Sequence, residues 1–183
     1  MKHISFIIVL FAIFLAGCAT YNLNGMIYDY EGQPVQNFRI SIKKNNTVSS
    51  DIAGRFYFSN IKKGNYILEG SKDGYESLEN PIEVFSDAQV VYLRTASLDN
   101  LLKLAYSALS KNQFTEAEGY IKRALGIKPL TAETYFYAAI LYFRKGDYEE
   151  ARNNLDEAEK ISPKSDVIKK FKMVLEKEVE VHK

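Results

Sequence analysis

Between residues 97 and 165 the same residue types return every 34 positions: Pro129 and Pro163, Ala105 and Ala139, Ala117 and Ala151, Ala124 and Ala158, and the aromatics Phe114 and Tyr148. A fixed period of this length means that one supersecondary unit is repeated and that neighbouring copies bury each other's apolar faces. The alanines mark places where two antiparallel helices cross closely. The prolines stop the second helix of each pair, because proline cannot continue a helix. The spacing predicts one helical hairpin over about Leu98–Thr131 and a second over Ala132–Ser165.

This pattern resembles the tetratricopeptide repeat. The resemblance implies that the first helix of each hairpin lines a protein-binding groove. Carrying the groove positions over gives Leu102, Tyr106 and Leu109, then Phe136, Ile140 and Phe143. Such an apolar, aromatic stripe suits a partner helix or an extended apolar segment. The branch of the family that grips a terminal carboxylate uses lysine and asparagine at some of these positions; Leu102 and Tyr106 stand there instead, which disfavours that ligand. After the second hairpin, residues 166–181 read as a capping helix. In Val167, Ile168, Phe171, Val174 and Leu175 apolar residues recur at three and four, while Lys169, Lys170, Lys172, Glu176 and Lys177 take the other face. Two hairpins are fewer than the three an independent array usually needs, so the cap and the preceding domain must supply the missing burial. Only Thr95-Ala96 separates that domain from Ser97. Two readings stay open: the domain folds back and fills the groove, or the groove is free.

From Tyr21 to Leu93 the period is two. Phe38, Ile40 and Ile42 alternate with Arg39, Ser41 and Lys43; Phe56 and Phe58 flank Tyr57; Tyr66 and Leu68 flank Ile67. Alternation of this kind marks strands with one buried face. Turn signals fall at Glu31-Gly32, Asn45-Asn46, Asp51 to Gly54, Lys63-Gly64 and Asp73-Gly74. Strands at this spacing predict a small antiparallel sandwich over residues 21–94. The motifs Gly25-x-x-x-Asp29-x-x-Gly32-x-Pro34-Val35, Ser50-Asp51-x-x-Gly54-Arg55-Phe56, Gly64-Asn65-Tyr66 and Lys72-Asp73-Gly74-Tyr75 resemble the carboxypeptidase regulatory-like family, a prealbumin-like β-sandwich. That family is non-catalytic and recurs as an accessory module in exported bacterial proteins. The chain departs from it at Asn37-Phe38, where a Gly-Ala pair is common. Asp51 and Gly54 read as a turn cap and its left-handed residue. A calcium site would need about 6 to 8 oxygen ligands. The expected fold is therefore a two-domain chain, β then α.

The first residues carry a different message. Lys2, an apolar run from Ile4 to Leu15 broken only by Ser5, and then Leu15-Ala16-Gly17-Cys18 form a secretory signal. It resembles the lipobox of bacterial lipoproteins, in which cleavage before the cysteine accompanies diacylation of its thiol. Cys18 is then the lipidation site, residues 1–17 are removed and residues 18–20 form a short lipidated tether. The apolar run is short of the roughly 20 residues that a membrane span requires. Removing Lys2 with the signal leaves 23 basic against 23 acidic side chains, a neutral chain with no footprint for nucleic acid. With the sole cysteine acylated, the fold is held by packing without a disulfide. Under the sorting rule of enteric bacteria, Ala19 after the cysteine points to the outer membrane, periplasmic face.

Nothing in the sequence points to chemistry. His3 leaves with the signal and His182 stands beside the C-terminus. No spacing of His, Cys or carboxylates suits a nucleophile-base pair or zinc, and Gly-rich phosphate loops are absent. The expectation is a non-enzymatic, cofactor-free and metal-free adaptor lipoprotein of the cell envelope, bound to the membrane through its lipid and to an envelope protein through its repeats. The alternative is a glycan- or peptidoglycan-binding lipoprotein using Tyr28, Tyr30 and Tyr75 of the sandwich, and self-association through the repeats is a third reading.

Overall fold

The computed structural model describes residues 20–43 and 46–181. The chain divides into two compact units. The first comprises the described chain up to Ile27, Pro34–Gly70 and Glu79–Leu93; the second comprises Tyr28–Gln33, Ser71–Leu78 and the chain from Arg94 onward.

The first unit is a β-sandwich. Its strands are β1 (Thr20–Tyr28), β2 (Arg39–Lys43), β3 (Asn46–Ser49), β4 (Arg55–Lys62), β5 (Gly64–Ser71), β6 (Leu78–Val84) and β7 (Val90–Arg94). They form a three-stranded sheet ordered β4-β1-β7 and a four-stranded sheet ordered β3-β2-β5-β6. The β1–β4 and β2–β3 pairs are antiparallel. Alternation sorts the side chains as the sequence requires: Phe38, Ile40, Ile42, Phe56, Phe58 and Leu68 are buried, whereas Tyr57 and Ile67 face out. Gly25 pairs with Phe56 across the sheet. A Cβ at Gly25 would stand 2.0 Å from Cζ of Phe56, so the ring lies where any larger residue at 25 would be.

The turns explain two motif residues. Asp51 Oδ1 accepts the backbone N–H groups of Ala53 and Arg55, both at 2.9 Å. Gly54 takes φ +74°, and a Cβ there would stand 2.4 Å from the carbonyl oxygen of Ile27. Asn37 also lies in the left-handed region at φ 56°. Asparagine tolerates that region better than most residues, which is how it stands where the resembled family commonly has glycine. The buried Ser50 hydroxyl fixes this corner, accepting from Phe38 N–H at 2.9 Å and donating to the carbonyl of Val35. Of the expected Asn45-Asn46 turn, Asn45 lies outside the described residues.

The second unit carries five helices: α1 (Leu98–Ser110), α2 (Phe114–Ile127), α3 (Ala132–Lys145), α4 (Tyr148–Ile161) and α5 (Asp166–Val181). Ala105, Ala117, Ala124, Ala139, Ala151 and Ala158 are all fully buried. One cluster joins Ala105, Leu109, Ala117, Ile121 and Leu141, and a second joins Ala139, Ala151, Leu155, Ala158, Ile168 and Leu175. The turns within the two hairpins are the same device. Asn112 (φ 58°) and Gly146 (φ 79°), 34 positions apart, both follow a helix in left-handed conformation. Gln113 N–H reaches the carbonyl of Ala108 and Asp147 N–H that of Tyr142, each at 2.9 Å, the long bond of a Schellman stop.

The helices also repeat by first residue. α1, α3 and α5 begin at Leu98, Ala132 and Asp166, each directly after a hydroxyl residue: Ser97, Thr131 and Ser165. The capping helix therefore starts in the register of the first helix of each hairpin. Ser97 closes a capping box with Asn100, its hydroxyl taking Asn100 N–H at 3.0 Å.

Segments Tyr28–Gln33 and Ser71–Leu78 are tied to α1 and α2. Arg123 on α2 donates to both carboxylate oxygens of Glu76, each at 2.7 Å, and to the Tyr30 hydroxyl at 2.9 Å. A bidentate pair of this kind holds both partners in one geometry. Glu76, more than the Tyr30 contact, holds the guanidinium pKa above its ordinary value. Leu98 N–H donates to Gly74 O and Glu76 N–H to Ala96 O, both at 2.9 Å. These bonds fix the start of α1.

Candidate partner-binding groove

The six residues carried over from the repeat pattern lie on α1 and α3, but with different roles. Leu102 and Leu109 are buried, Leu102 with Ala96, Leu101 and Ala124, Leu109 with the alanines of the first crossing. They are core residues. Leu109 is further covered by Arg144, whose guanidinium donates to the Leu109 carbonyl and lies 5.7 Å from the Phe114 ring centroid. Tyr106 is 62% exposed and meets Tyr137 edge-on at 6.4 Å. Phe136, Ile140 and Phe143 are half-buried.

The half-burial of the two phenylalanines comes from α5. Phe171 packs edge-to-face on Phe136 at 5.5 Å and on Phe143 at 5.3 Å. Phe143 also leans on Tyr148 at 5.8 Å. At one register across α1, α3 and α5 stand Tyr106, Ile140 and Val174, successive positions 34 apart; Tyr106 and Val174 are exposed, and Ile140 is half-buried against the first core cluster. Beside this row, between α3 and α5, is a cavity of about 330 Å³ lined by Phe136, Tyr137, Val167 and Ile168, with Glu133 at its rim. Burial raises the Tyr137 pKa, with a smaller contribution from the Glu133 carboxylate.

α5 differs from the two-faced helix read from sequence. Ile168 and Leu175 are buried, but Val167 and Val174 are 60% and 48% exposed. Lys172 turns inward, bonded to Asp156 at 2.9 Å and Glu159 at 2.7 Å on α4. Those carboxylates, Glu159 first, hold its ammonium up to about 12. The cause is helical geometry: at about 100° per residue Val167 and Val174 fall together on a seam beside the packed stripe. Sequence reasoning ended the array at Ser165 and so read both valines as part of the packed stripe; the hydroxyl residues at 97, 131 and 165 carried the signal that α5 starts in the register of α1 and α3.

Cys18 lies outside the described residues. Of the three sandwich tyrosines considered for glycan, Tyr28 and Tyr75 are half-buried. Tyr30 is held by Arg123, whose guanidinium stands 5.2 Å from its ring centroid. Among the described residues no group of three or more His, Cys, Asp or Glu could hold a metal, and no helix is long and apolar enough to cross a membrane.

Residues 132–165 match the family model of the tetratricopeptide repeat, the span of α3, α4 and the turn that follows. No curated protein matches the chain. Among solved structures, a type II cohesin–X-dockerin complex mutant from Acetivibrio cellulolyticus is 14% identical, with 47% of this chain and 72% of that chain covered and a TM-score of 0.38. The major pilin subunit of Bacillus cereus is 22% identical over 43% of this chain and 30% of its own, with a TM-score of 0.34. A 3-chlorocatechol 1,2-dioxygenase from Rhodococcus opacus is 14% identical over 43% of this chain and 60% of its own, also at 0.34.

Proposed function

We propose that this protein is a non-enzymatic adaptor lipoprotein of the bacterial cell envelope, anchored through lipid on Cys18 and holding a protein partner on its helical repeats. The observation that carries the binding half is the row Tyr106–Ile140–Val174 beside the α3–α5 cavity, on a repeat whose second copy matches the tetratricopeptide model. Exposed apolar side chains that cluster on a surface mark interaction sites, and here Tyr106 and Val174 are exposed in register on either side of the half-buried Ile140. The envelope half rests on residues 1–18: the basic start, the short apolar run and Leu15-Ala16-Gly17-Cys18. Because strand β1 already begins at Thr20, a lipid on Cys18 keeps the first unit within a few extended residues of the bilayer, each about 3.3 to 3.6 Å. Ala19 favours the periplasmic face of the outer membrane. Metabolic labelling with an alkynyl fatty acid tests the anchor. The parent chain should take up label and Cys18→Ala should not; label retained on the Ala variant refutes it.

A further inference from the structure

The surface of α5 says what kind of segment the groove takes. Val167, Val174 and Val181 are exposed and stand seven residues apart, so they form one nearly straight row on the helix. The row spans about 21 Å at 1.5 Å per residue. Along one edge, three residues after Val167 and three after Val174, stand Lys170 and Lys177, both exposed. Four lysines of this unit are ion-paired: Lys103 with Asp99 and Glu31, Lys145 with Glu118, Lys160 with Glu157, Lys172 with Asp156 and Glu159; what sets Lys170 and Lys177 apart from the remaining lysines is their place along the valine row. Lys170 and Lys177 have no ion pair among the described residues. On the other side of the row opens the α3–α5 cavity, large enough for one bulky apolar side chain.

A second copy of α5 is a poor occupant. Antiparallel pairing about Val174 would bring Lys170 against Lys177 of the other copy, and like charges repel. The chain itself displays the complementary solution, since α4 meets Lys172 with two carboxylates across a helix–helix contact. We infer that the groove's occupant is an amphipathic helix with one apolar anchor in the α3–α5 cavity and carboxylates along the edge that faces Lys170 and Lys177. This deepens the adaptor reading, and rests on it, by giving the partner's chemistry.

The test titrates the full chain, by fluorescence anisotropy, with two synthetic amphipathic helices of about four turns. Both carry the same leucine row; one has glutamate along its edge and its twin has lysine. Exposed pairs contribute modestly, so the glutamate helix should bind about five- to tenfold more tightly at low salt, with the ratio shrinking as salt is added. In the Lys170→Glu, Lys177→Glu double variant the preference should invert. Both lysines are exposed, so an unchanged thermal melt would show that the fold is intact. Val174→Ser should weaken both helices by a similar factor. A ratio near one in the parent, or a ratio unmoved in the double variant, overturns the acidic occupant. If Val174→Ser still weakens both helices in that case, the groove reading stands without it; binding of neither helix also overturns the inference.

Discussion

Phe171→Ala should uncouple α5 from the array. Its ring makes edge-to-face contacts with Phe136 and Phe143 at 5.5 and 5.3 Å, with interplanar angles of 77° and 70°. Each such pair contributes about 0.5 to 1.5 kcal/mol beyond area burial. Full loss of a buried phenylalanine costs about 3 to 5 kcal/mol; Phe171 is half-buried, so the expected loss is about 2 to 4 kcal/mol. At a urea dependence of about 2 kcal/mol per molar, the midpoint should fall by roughly 1 to 2 M. Urea titration of the full chain, followed at the helical circular-dichroism band, measures this directly. Val174→Ala, on the same helix but about half exposed, serves as the comparison and should lose no more than about 1 kcal/mol. If Phe171→Ala moves the midpoint no further than Val174→Ala does, α5 is not packed on α3 as a first helix should be, and the row across the three helices has no physical basis.

Ala151→Leu should overpack the fully buried crossing of the second hairpin and destabilise the chain by roughly 1 to 3 kcal/mol; a thermal melt within a degree of the parent would refute the crossing. Thr134 on α3 is fully buried, and its hydroxyl finds no partner among the described residues. Its register equivalent on α5 is the buried Ile168. Thr134→Val should therefore be neutral or stabilising by about 1 kcal/mol, and a clear loss of stability in chemical denaturation would show that the hydroxyl is bonded.

The repeat was legible because its crossings use one residue type: Ala105, Ala117 and Ala124 return as Ala139, Ala151 and Ala158, and all six are buried. Strand alternation was legible for the same reason, one face being sealed by Phe38, Ile40, Phe56 and Phe58. The register of α5 with the first helices was hidden because its residue types change. Tyr135, Ala139 and Tyr142 of α3 become Lys169, Met173 and Glu176 in α5, the polar or exposed residues that an uncovered face tolerates. Leu102 and Leu109 read as groove residues because register alone places them there. Their burial depends on Ala124 of α2 and on the α1–α2–α3 cluster, contacts that no local pattern encodes. Asn37 concealed a left-handed turn position by using asparagine in place of glycine.

The binding surface is tested most directly by photo-cross-linking in cells, with a photoreactive amino acid placed singly at Tyr106, Ile140 or Val174 and, as control, at Asn153 on α4. The first three positions should each yield the same discrete adduct with another protein in the membrane fraction, and Asn153 should yield none. Adducts that are equal at all four positions, or absent from the row while present at Asn153, would contradict the assignment of the partner to this groove.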